Sequence, residues 1–383
     1  MDFSWSAEQE ALRDTIARFA REQVAPVSSA IDRDGAIPSA LLAALAKVGL
    51  LSMGLPADLG GSGASSVDLG IVVEELAAAD FAVSQLPIMG ALTATAIAQA
   101  APAVRDSVLP SLLAGTDLVA FALTEPGAGS DAARITCRAR RTDRGYLLAG
   151  EKTSVSNLST ARGIIVLARL DGAAGLTAFY VPRTSVGLAV ALFDDLGCRG
   201  LSRGSLALSD VEVPGDHLIG LPGRGLRLVL GVFDLTRTLI ALAAVGAARA
   251  AMDDASGYAQ QRESMGVPII AHQGVSFVLA EHVTMLEAAR WLCYRALWLR
   301  DAGQPHTTEA AMCKWWGVQT AVAAIHAAML LHGHAGYTRD LPQQQRLRDV
   351  IGMEWGDGTA QIQKLVVARS LSRAGDKERN ERA

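Results

Sequence analysis

Apolar positions recur at helical spacing through the first third of the chain. Leu12, Ile16 and Phe19 share a face behind Ser6 and Gln9, whose separation is that of a capping box. Pro38 and Ser39 open another helix, which Gly49 can close. The loop Gly60-Gly61-Ser62-Gly63 leads into an apolar helix through Val72, Leu76 and Ala79, and helical texture persists to about Leu113. Near Leu118 the pattern shortens. Brief apolar runs at 118–123, 145–149, 163–170 and 176–181 are bounded by Gly, Pro and Asp, and Leu206, Leu208, Val211 and Val213 alternate as a strand does. Pro222-Gly223-Arg224-Gly225 closes this block. From Leu226 onward the pattern is helical again, in long segments that include 245–261, 272–300 and 308–332, and a last helix begins near Thr359. The pattern predicts an α+β protein: a helical domain over 1–117, an antiparallel β domain over 118–222, and a helical-bundle domain over 223–383.

Composition narrows the function. Half of the 383 residues are hydrophobic and 19% are charged, which implies helices buried against each other and between subunits. The net charge of −4, without a basic run, excludes bulk nucleic-acid binding. Cys137, Cys198, Cys293 and Cys313 are dispersed and form no CxxC pair, as expected of reduced thiols in the cytoplasm. The first five residues lack a basic start and an apolar run, so no export signal is expected. No membrane span is expected either: the apolar stretch after Arg237 reaches Arg249 too soon, and 318–331 carries Gln319 and His326.

Two loops have the composition of a site. Thr124-Glu125-Pro126-Gly127-Ala128-Gly129-Ser130-Asp131 follows a strand; its glycines let backbone amides approach a ligand, and Thr124 and Ser130 add hydroxyls. By composition alone it is equally a solvent loop of Asp and Ser turns. Gly356-Asp357-Gly358-Thr359-Ala360-Gln361 precedes the last helix, where Asp357 is either a helix cap or a placed base, and Thr359 with the free amides behind it could hold a phosphate. Gly220-Leu221-Pro222-Gly223-Arg224-Gly225 lacks the strand-to-helix context and the later acidic residue of a dinucleotide fingerprint. His332 and His334 have no acidic or cysteine partner at ligand spacing, so no metal site is assigned. Trp315 and Trp316 read as core.

In order along the chain, the 124–131 loop, Gly150-Glu151-Lys152 with Ser156-Asn157, Tyr258-Ala259-Gln260-Gln261-Arg262 leading to His272-Gln273, and Arg348-Asp349 followed by Asp357-Gly358-Thr359 resemble the acyl-CoA dehydrogenase family over nearly the whole chain. The resemblance implies a homotetramer that binds FAD between subunits. It implies that Thr124 and Ser156 face the flavin, that Ser130 sits near the flavin–substrate junction, that Arg262 and Gln273 reach the FAD of a neighbouring subunit, and that Thr359 and Gln361 contact its phosphate or adenosine parts. Phe233, Asp234 and Arg237 correspond to the segment lining the thioester site, with Ser130 beside them. An electron-transfer flavoprotein is the implied acceptor.

Departures from the family are equally informative. Most members carry Glu where this chain has Asp357; Asp there is similar to cyclohexanecarboxyl-CoA dehydrogenases and nitroalkane oxidases. A minority keep their Glu one helix away, where this chain has Thr236. A Trp common beside the flavin is Ser154, which predicts a more open flavin edge. The Gln-x-x-Gly-Gly adenosine motif is reduced to Leu330-Leu331-His332-Gly333-His334, and no FAD contact is assigned there. The implied chemistry is α,β-dehydrogenation of an acyl thioester, with Asp357 as base, its amide polarising the thioester oxygen, and Arg237 positioning the region. Such a base is expected to be desolvated. A carrier-protein-bound acyl group, a nitroalkane-oxidase-like reaction and a non-catalytic binding role stay open.

Overall fold

The computed structural model describes residues 4–55 and 57–381; residues 1–3, part of the N-terminal reading, lie outside them. Helix α1 (Ala7–Phe19) starts at the expected capping box, Ser6 and Gln9 each accepting the other's backbone N–H. It runs through a π turn (Ala20–Val24) into α2 (Ala25–Asp34), which ends at Gly35 with φ +67°. Then come α3 (Ser39–Lys47), α4 (Ser66–Ala79), α5 (Phe81–Ala98) and α6 (Pro102–Leu113).

The middle of the chain is one sheet of eight strands: β1 (Leu118–Ala122), β2 (Arg138–Thr142), β3 (Gly145–Val155), β4 (Ala161–Leu170), β5 (Leu176–Pro182), β6 (Leu188–Leu192), β7 (Gly204–Pro214) and β8 (Leu218–Ile219). Their order is β6-β7-β3-β2-β4-β5-β8, with β1 also on β4. The sheet is not purely antiparallel as expected. β1 and β2 both lie parallel to β4, end to end along one of its edges, while β5 runs antiparallel along the other. The chain leaves β1 through the 124–131 loop and reaches β4 only after the β2–β3 hairpin, so a parallel pairing is open to it. β2 escaped the sequence reading because Arg138, Arg140 and Arg141 face water and only Ala139 is buried within it.

Helix α7 (Gly225–Gln261) is a single 37-residue helix: the helical pattern expected from Leu226 runs without a break into the 245–261 segment. A small hairpin, β9 (Glu263–Ser264) and β10 (Val267–Pro268), joins it to α8 (Gln273–Asp301). Next are α9 (Thr307–Met312), a π turn (Cys313–Gly317), α10 (Val318–Leu331), α11 (Gln343–Ile351) and α12 (Ala360–Glu381). One apolar core joins the N-terminal helices to α7, α8 and α10; a second lies under the sheet against α6. Among the described residues two helices, α5 and α7, are long and apolar enough to cross a membrane, but 83% of the α5 stretch and 65% of the α7 stretch are buried inside the protein. Their apolarity is that of core helices.

Helix α4 crosses α7 at Gly246, where a Cβ would stand 2.4 Å from the Glu74 carbonyl oxygen. The Glu74 carboxylate is itself buried, accepting from Arg290 Nε (2.7 Å) and the Tyr294 hydroxyl (2.6 Å) and pairing with Arg249. It therefore ties α4 to α7 and α8 at the point of closest approach. Two substitutions in α7 should have opposite signs. Gly246→Ala should destabilise by about 1–3 kcal/mol through overpacking. Gly257→Ala, where a Cβ meets nothing within 4 Å, should stabilise by roughly 0.5–1 kcal/mol through helix propensity. Chemical denaturation of both variants checks the pair; equal effects would mean that the crossing is not tight.

Candidate active site

The loop after β1 is built on a buried ion pair. Lys152 Nζ donates to Glu125 Oε1 at 2.8 Å and to the Leu123 carbonyl at 2.9 Å, and both side chains are almost wholly buried. Glu125 also accepts the amides of Thr136 (2.6 Å) and Cys137 (2.9 Å) and the Thr136 hydroxyl (2.8 Å). Burial pushes its carboxyl up, but Lys152 and these donors outweigh that and hold it below its ordinary range. Burial lowers the Lys152 ammonium. Arg169 closes the outer turn, donating Nε to the Ile135 carbonyl (2.6 Å) and a second nitrogen to that of Ala133. The Thr153 amide donates to the Thr124 carbonyl at 2.9 Å, so the loop lies against the end of β3.

That end of β3 carries Ser154 and Ser156, with left-handed backbone at Ser154 (φ +61°) and, just beyond, Asn157 (φ +63°). The hydroxyls of Thr124, Ser130 and Ser156 have no hydrogen-bond partner within the protein among the described residues, although Thr124 and Ser156 are half-buried. A Cβ at Gly127 would meet nothing within 4 Å. Free hydroxyls beside an open glycine loop suit a ligand rich in acceptors, as the carbonyl and imine edges of FAD are. Ser154, where the resemblance implies a more open flavin edge, is exposed. Arg203 Nη2 donates to its hydroxyl at 2.8 Å, and Asp195 pairs with the same guanidinium at 3.4 Å. Sequence reasoning missed Arg203, which lies on the loop before β7, far from Ser154 along the chain.

Helix α7 supplies the opposite wall. Phe233 meets Phe121 of β1 edge-on, with ring centroids 6.4 Å apart. The Arg237 guanidinium lies 5.5 Å from the Phe233 ring, pairs with Asp234 at 3.3 Å, and donates Nε to the Asp357 carbonyl at 3.2 Å. Thr307 anchors Asp234 from α9 with a 2.6 Å hydrogen bond. The Thr236 hydroxyl donates to Asp357 Oδ2 at 3.2 Å, which joins α7 to the loop before α12.

The helix-cap role left open for Asp357 falls to Thr359. Thr359 caps α12, its hydroxyl accepting from the Ile362 amide (3.4 Å) and its carbonyl from that of Gln363 (3.0 Å). Asp357 stands outside the helix with φ +52°, a left-handed conformation that costs on the order of 1 kcal/mol. Its own amide has no acceptor in the protein among the described residues. Its carboxylate is not desolvated as expected: Asp357 is exposed in the protomer, on the open side of its loop. Beneath it, Lys314 Nζ donates to the Met353 carbonyl at 2.6 Å and weakly to that of Gly358 at 3.4 Å. This lysine was also missed; the signal was a lone charge inside the apolar run around Trp315 and Trp316.

The remaining candidates fall elsewhere. Arg262 and Gln273 flank the β9–β10 hairpin and are exposed. Gln361 is exposed on the first turn of α12. His332 is buried, stacked on Tyr258 at 4.8 Å, with Nδ1 at 2.7 Å from the Ala328 carbonyl. The 220–225 stretch does lead from the two-residue strand β8 into α7, contrary to the sequence reading. A cleft of about 380 Å³ opens there, lined by Ala132, Ala133, Arg169, Arg224, Arg227 and Leu230.

Three family signatures match in order: acyl-CoA dehydrogenase, N-terminal domain, over residues 6–116; middle domain, over 120–211; and C-terminal domain, over 223–372. The probable acyl-CoA dehydrogenase YngJ of Bacillus subtilis is 34% identical, over 97% of this chain and 100% of that protein. The structure of butyryl-CoA dehydrogenase from Megasphaera elsdenii superposes with a TM-score of 0.91 at 31% identity, covering 97% of this chain and 100% of that one. A glutaryl-CoA dehydrogenase from Mycobacterium smegmatis in complex with FADH2 gives a TM-score of 0.91 at 25% identity, covering 96% and 95%.

Lys152→Met leaves the Glu125 carboxylate buried without its counter-charge and should cost about 3–5 kcal/mol in chemical denaturation. Adding Glu125→Gln should recover much of that loss. The sign with pH follows from the lowered Glu125 carboxyl: its contribution is present at neutral pH and is lost as pH falls through the folded-state value, so wild type and Lys152→Met should converge in acid. Equal stability of the two at pH 7 would contradict the role given to the pair.

Proposed function

The chain belongs to the acyl-CoA dehydrogenase family of FAD-dependent oxidoreductases, and from that premise we propose that the Asp357 carboxylate removes the α-proton of an acyl thioester as a hydride leaves the β-carbon. Bound FAD supplies the acceptor for that hydride. The observation that carries this reading is that Asp357 presents both its carboxylate and an uncommitted backbone amide at one held point. A carboxylate takes the proton while a nearby N–H meets the charge that develops on the thioester oxygen. Arg237 fixes the Asp357 carbonyl, and with it the peptide plane that follows the base. Because Asp357 is exposed in the protomer, the acyl group itself provides the desolvation by covering it.

The cleft at the start of α7 fits the other end of such a substrate. Arg224 and Arg227 have no carboxylate within salt-bridge distance among the described residues, so they are available to phosphate. Arg227 and Thr236 are about 14 Å apart along the helix axis at 1.5 Å per residue. Nine residues at 3.6 per turn also put them half a turn apart, so an arm joining a phosphate in the cleft to a thioester beside Asp357 passes round the helix as well as along it. The arm belongs to CoA in this reading. Thr124, Ser130 and Ser156 hold the flavin end of FAD; Thr359 and Gln361 hold its phosphate and adenosine side. Arg262 and Gln273 project from a hairpin and serve the FAD of a neighbouring subunit in a tetramer. An electron-transfer flavoprotein then reoxidises the enzyme.

Aspartate is one methylene shorter than glutamate, which sets its oxygen back by up to about 1.5 Å on an unchanged backbone. A displacement of that size slows the reaction by roughly a hundredfold unless the substrate moves to meet it. The preferred acyl group is therefore branched, cyclic or bulky near Cα. Anaerobic flavin bleaching across straight, branched and cyclic acyl-CoAs tests both points. Wild type should bleach fastest with a branched or cyclic chain, and Asp357→Asn should retain FAD but not bleach. Bleaching by Asp357→Asn at the wild-type rate removes Asp357 as the base. A clear preference for butyryl- or octanoyl-CoA overturns the substrate argument. Rapid oxygen consumption with a nitroalkane, and no bleaching by thioesters, replaces the reaction with an oxidase.

A further inference from the structure

Lys314 carries a charge where few side chains do: it is 1% exposed, on the π turn between α9 and α10, and no carboxylate lies within 4 Å of it among the described residues. Its donors go instead to the base loop. The Met353 carbonyl accepts at 2.6 Å and the Gly358 carbonyl at 3.4 Å, one before Asp357 in the chain and one directly after it. The loop between needs holding. Asp357 and Gly358 both have positive φ, at +52° and +101°. Alongside Lys314 act the Arg237 contact, the Thr236 hydroxyl on the carboxylate, the Gly356 amide on the Gly352 carbonyl at 3.3 Å, and two long contacts from Gln363 Nε2 to the Asp357 and Gly358 carbonyls at 3.4 and 3.5 Å.

We propose that Lys314 is a positioning residue for proton abstraction: its buried ammonium spans the base loop from behind and fixes where the Asp357 carboxylate stands. The inference rests on the reading of Asp357 as the base. Lys314 does not touch the reacting atoms. It acts through the backbone on either side of Asp357.

The same burial makes the clamp sensitive to pH. Desolvation lowers the Lys314 ammonium to about 8, against the opposing pull of Asp357. Arg237 on α7 lowers it further and Glu354 in the loop raises it. Other ionisable groups around the turn include Cys293 on α8, which contacts Cys313; Glu309 on α9, which pairs with Arg295 of α8 at 2.8 Å; and Lys364 on α12, whose ammonium lies 4.6 Å from the Trp315 ring. Above about pH 8 the lysine is neutral, the carbonyls lose a cationic donor, and turnover falls. Stability moves the other way. The unfolded chain keeps its proton up to an ordinary lysine value, so from about 8 upward it binds more protons than the folded chain, and folding gains as the buried charge is relieved.

The test uses full-length, FAD-loaded enzyme and a thioester that bleaches the wild type, followed anaerobically from pH 6 to 10. Lys314→Met should lower the limiting bleaching rate at pH 7 by about a hundredfold, as expected for a misplaced base, with less than about a threefold change in substrate affinity and with FAD retained. The wild-type alkaline limb, with an apparent pKa near 8, should be absent from that variant. Lys314→Arg should restore much of the rate and keep it to pH 10, because a guanidinium does not titrate in this range. The stability of wild type relative to Lys314→Met should rise between pH 8 and 10. A wild-type rate and alkaline limb in Lys314→Met overturn the proposal. Where Lys314→Met does not fold, an alkaline limb near 8 retained by Lys314→Arg overturns it. Asp357→Asn separates the two readings: bleaching by that variant defeats the assignment of the base, whereas its inactivity beside an unaffected Lys314→Met defeats only the role of Lys314.

Discussion

A charge taken out of water must be met by other groups, and both walls of the site are shaped by that requirement. On the sheet side, Lys152 is met by Glu125 and the Leu123 carbonyl, and Glu125 by three further donors, which fixes the loop carrying Thr124 and Ser130. On the helical side, Lys314 has no such partner and takes backbone carbonyls instead, which fixes the loop carrying Asp357. The contrast has a chemical sense. An ion pair is a rigid support for a binding loop, whereas a cation bonded to carbonyls holds a carboxylate in place without neutralising it.

Helix α7 relates these parts to each other. Its 37 residues, about 55 Å at 1.5 Å per residue, start at the arginine-lined cleft and end at the hairpin with Arg262. Between those ends the helix presents Phe233 to the sheet and Thr236 and Arg237 to Asp357, then crosses α4 at Gly246. The tight crossing and the Glu74 cluster beside it keep the helix in register with the rest of the fold. Any shift of α7 along its axis would move the cleft, the base loop and the hairpin together.

The order of the three blocks, the capping box at Ser6 and most strands were legible because they depend on local periodicity. β2 was not, since three of its five residues are arginines facing water and its place in the sheet depends on partners distant in sequence. The helical character of α7 was legible from Leu226, but its continuity as one helix of 37 residues was not. At the site, Thr124, Ser156, Arg237 and Asp357 stood out through loop chemistry and resemblance. Arg203 and Lys314 did not, because what distinguishes them is a contact partner: Ser154 for one and the Met353 carbonyl for the other. The exposure of Asp357 could not be read from composition either, since a glycine-flanked carboxylate looks the same whether it faces solvent or core.

The central claim, that Asp357 takes the α-proton, is tested most directly by separating that step from oxidation. An acyl-CoA with sulfur in place of its β-carbon retains acidic α-hydrogens but has no β-hydrogen to give up. Incubated in D2O with FAD-loaded wild-type enzyme, it should gain deuterium at Cα, read by mass spectrometry, and with Asp357→Asn it should exchange only at the enzyme-free rate. Exchange by Asp357→Asn as fast as by the wild type would show that another group removes the proton.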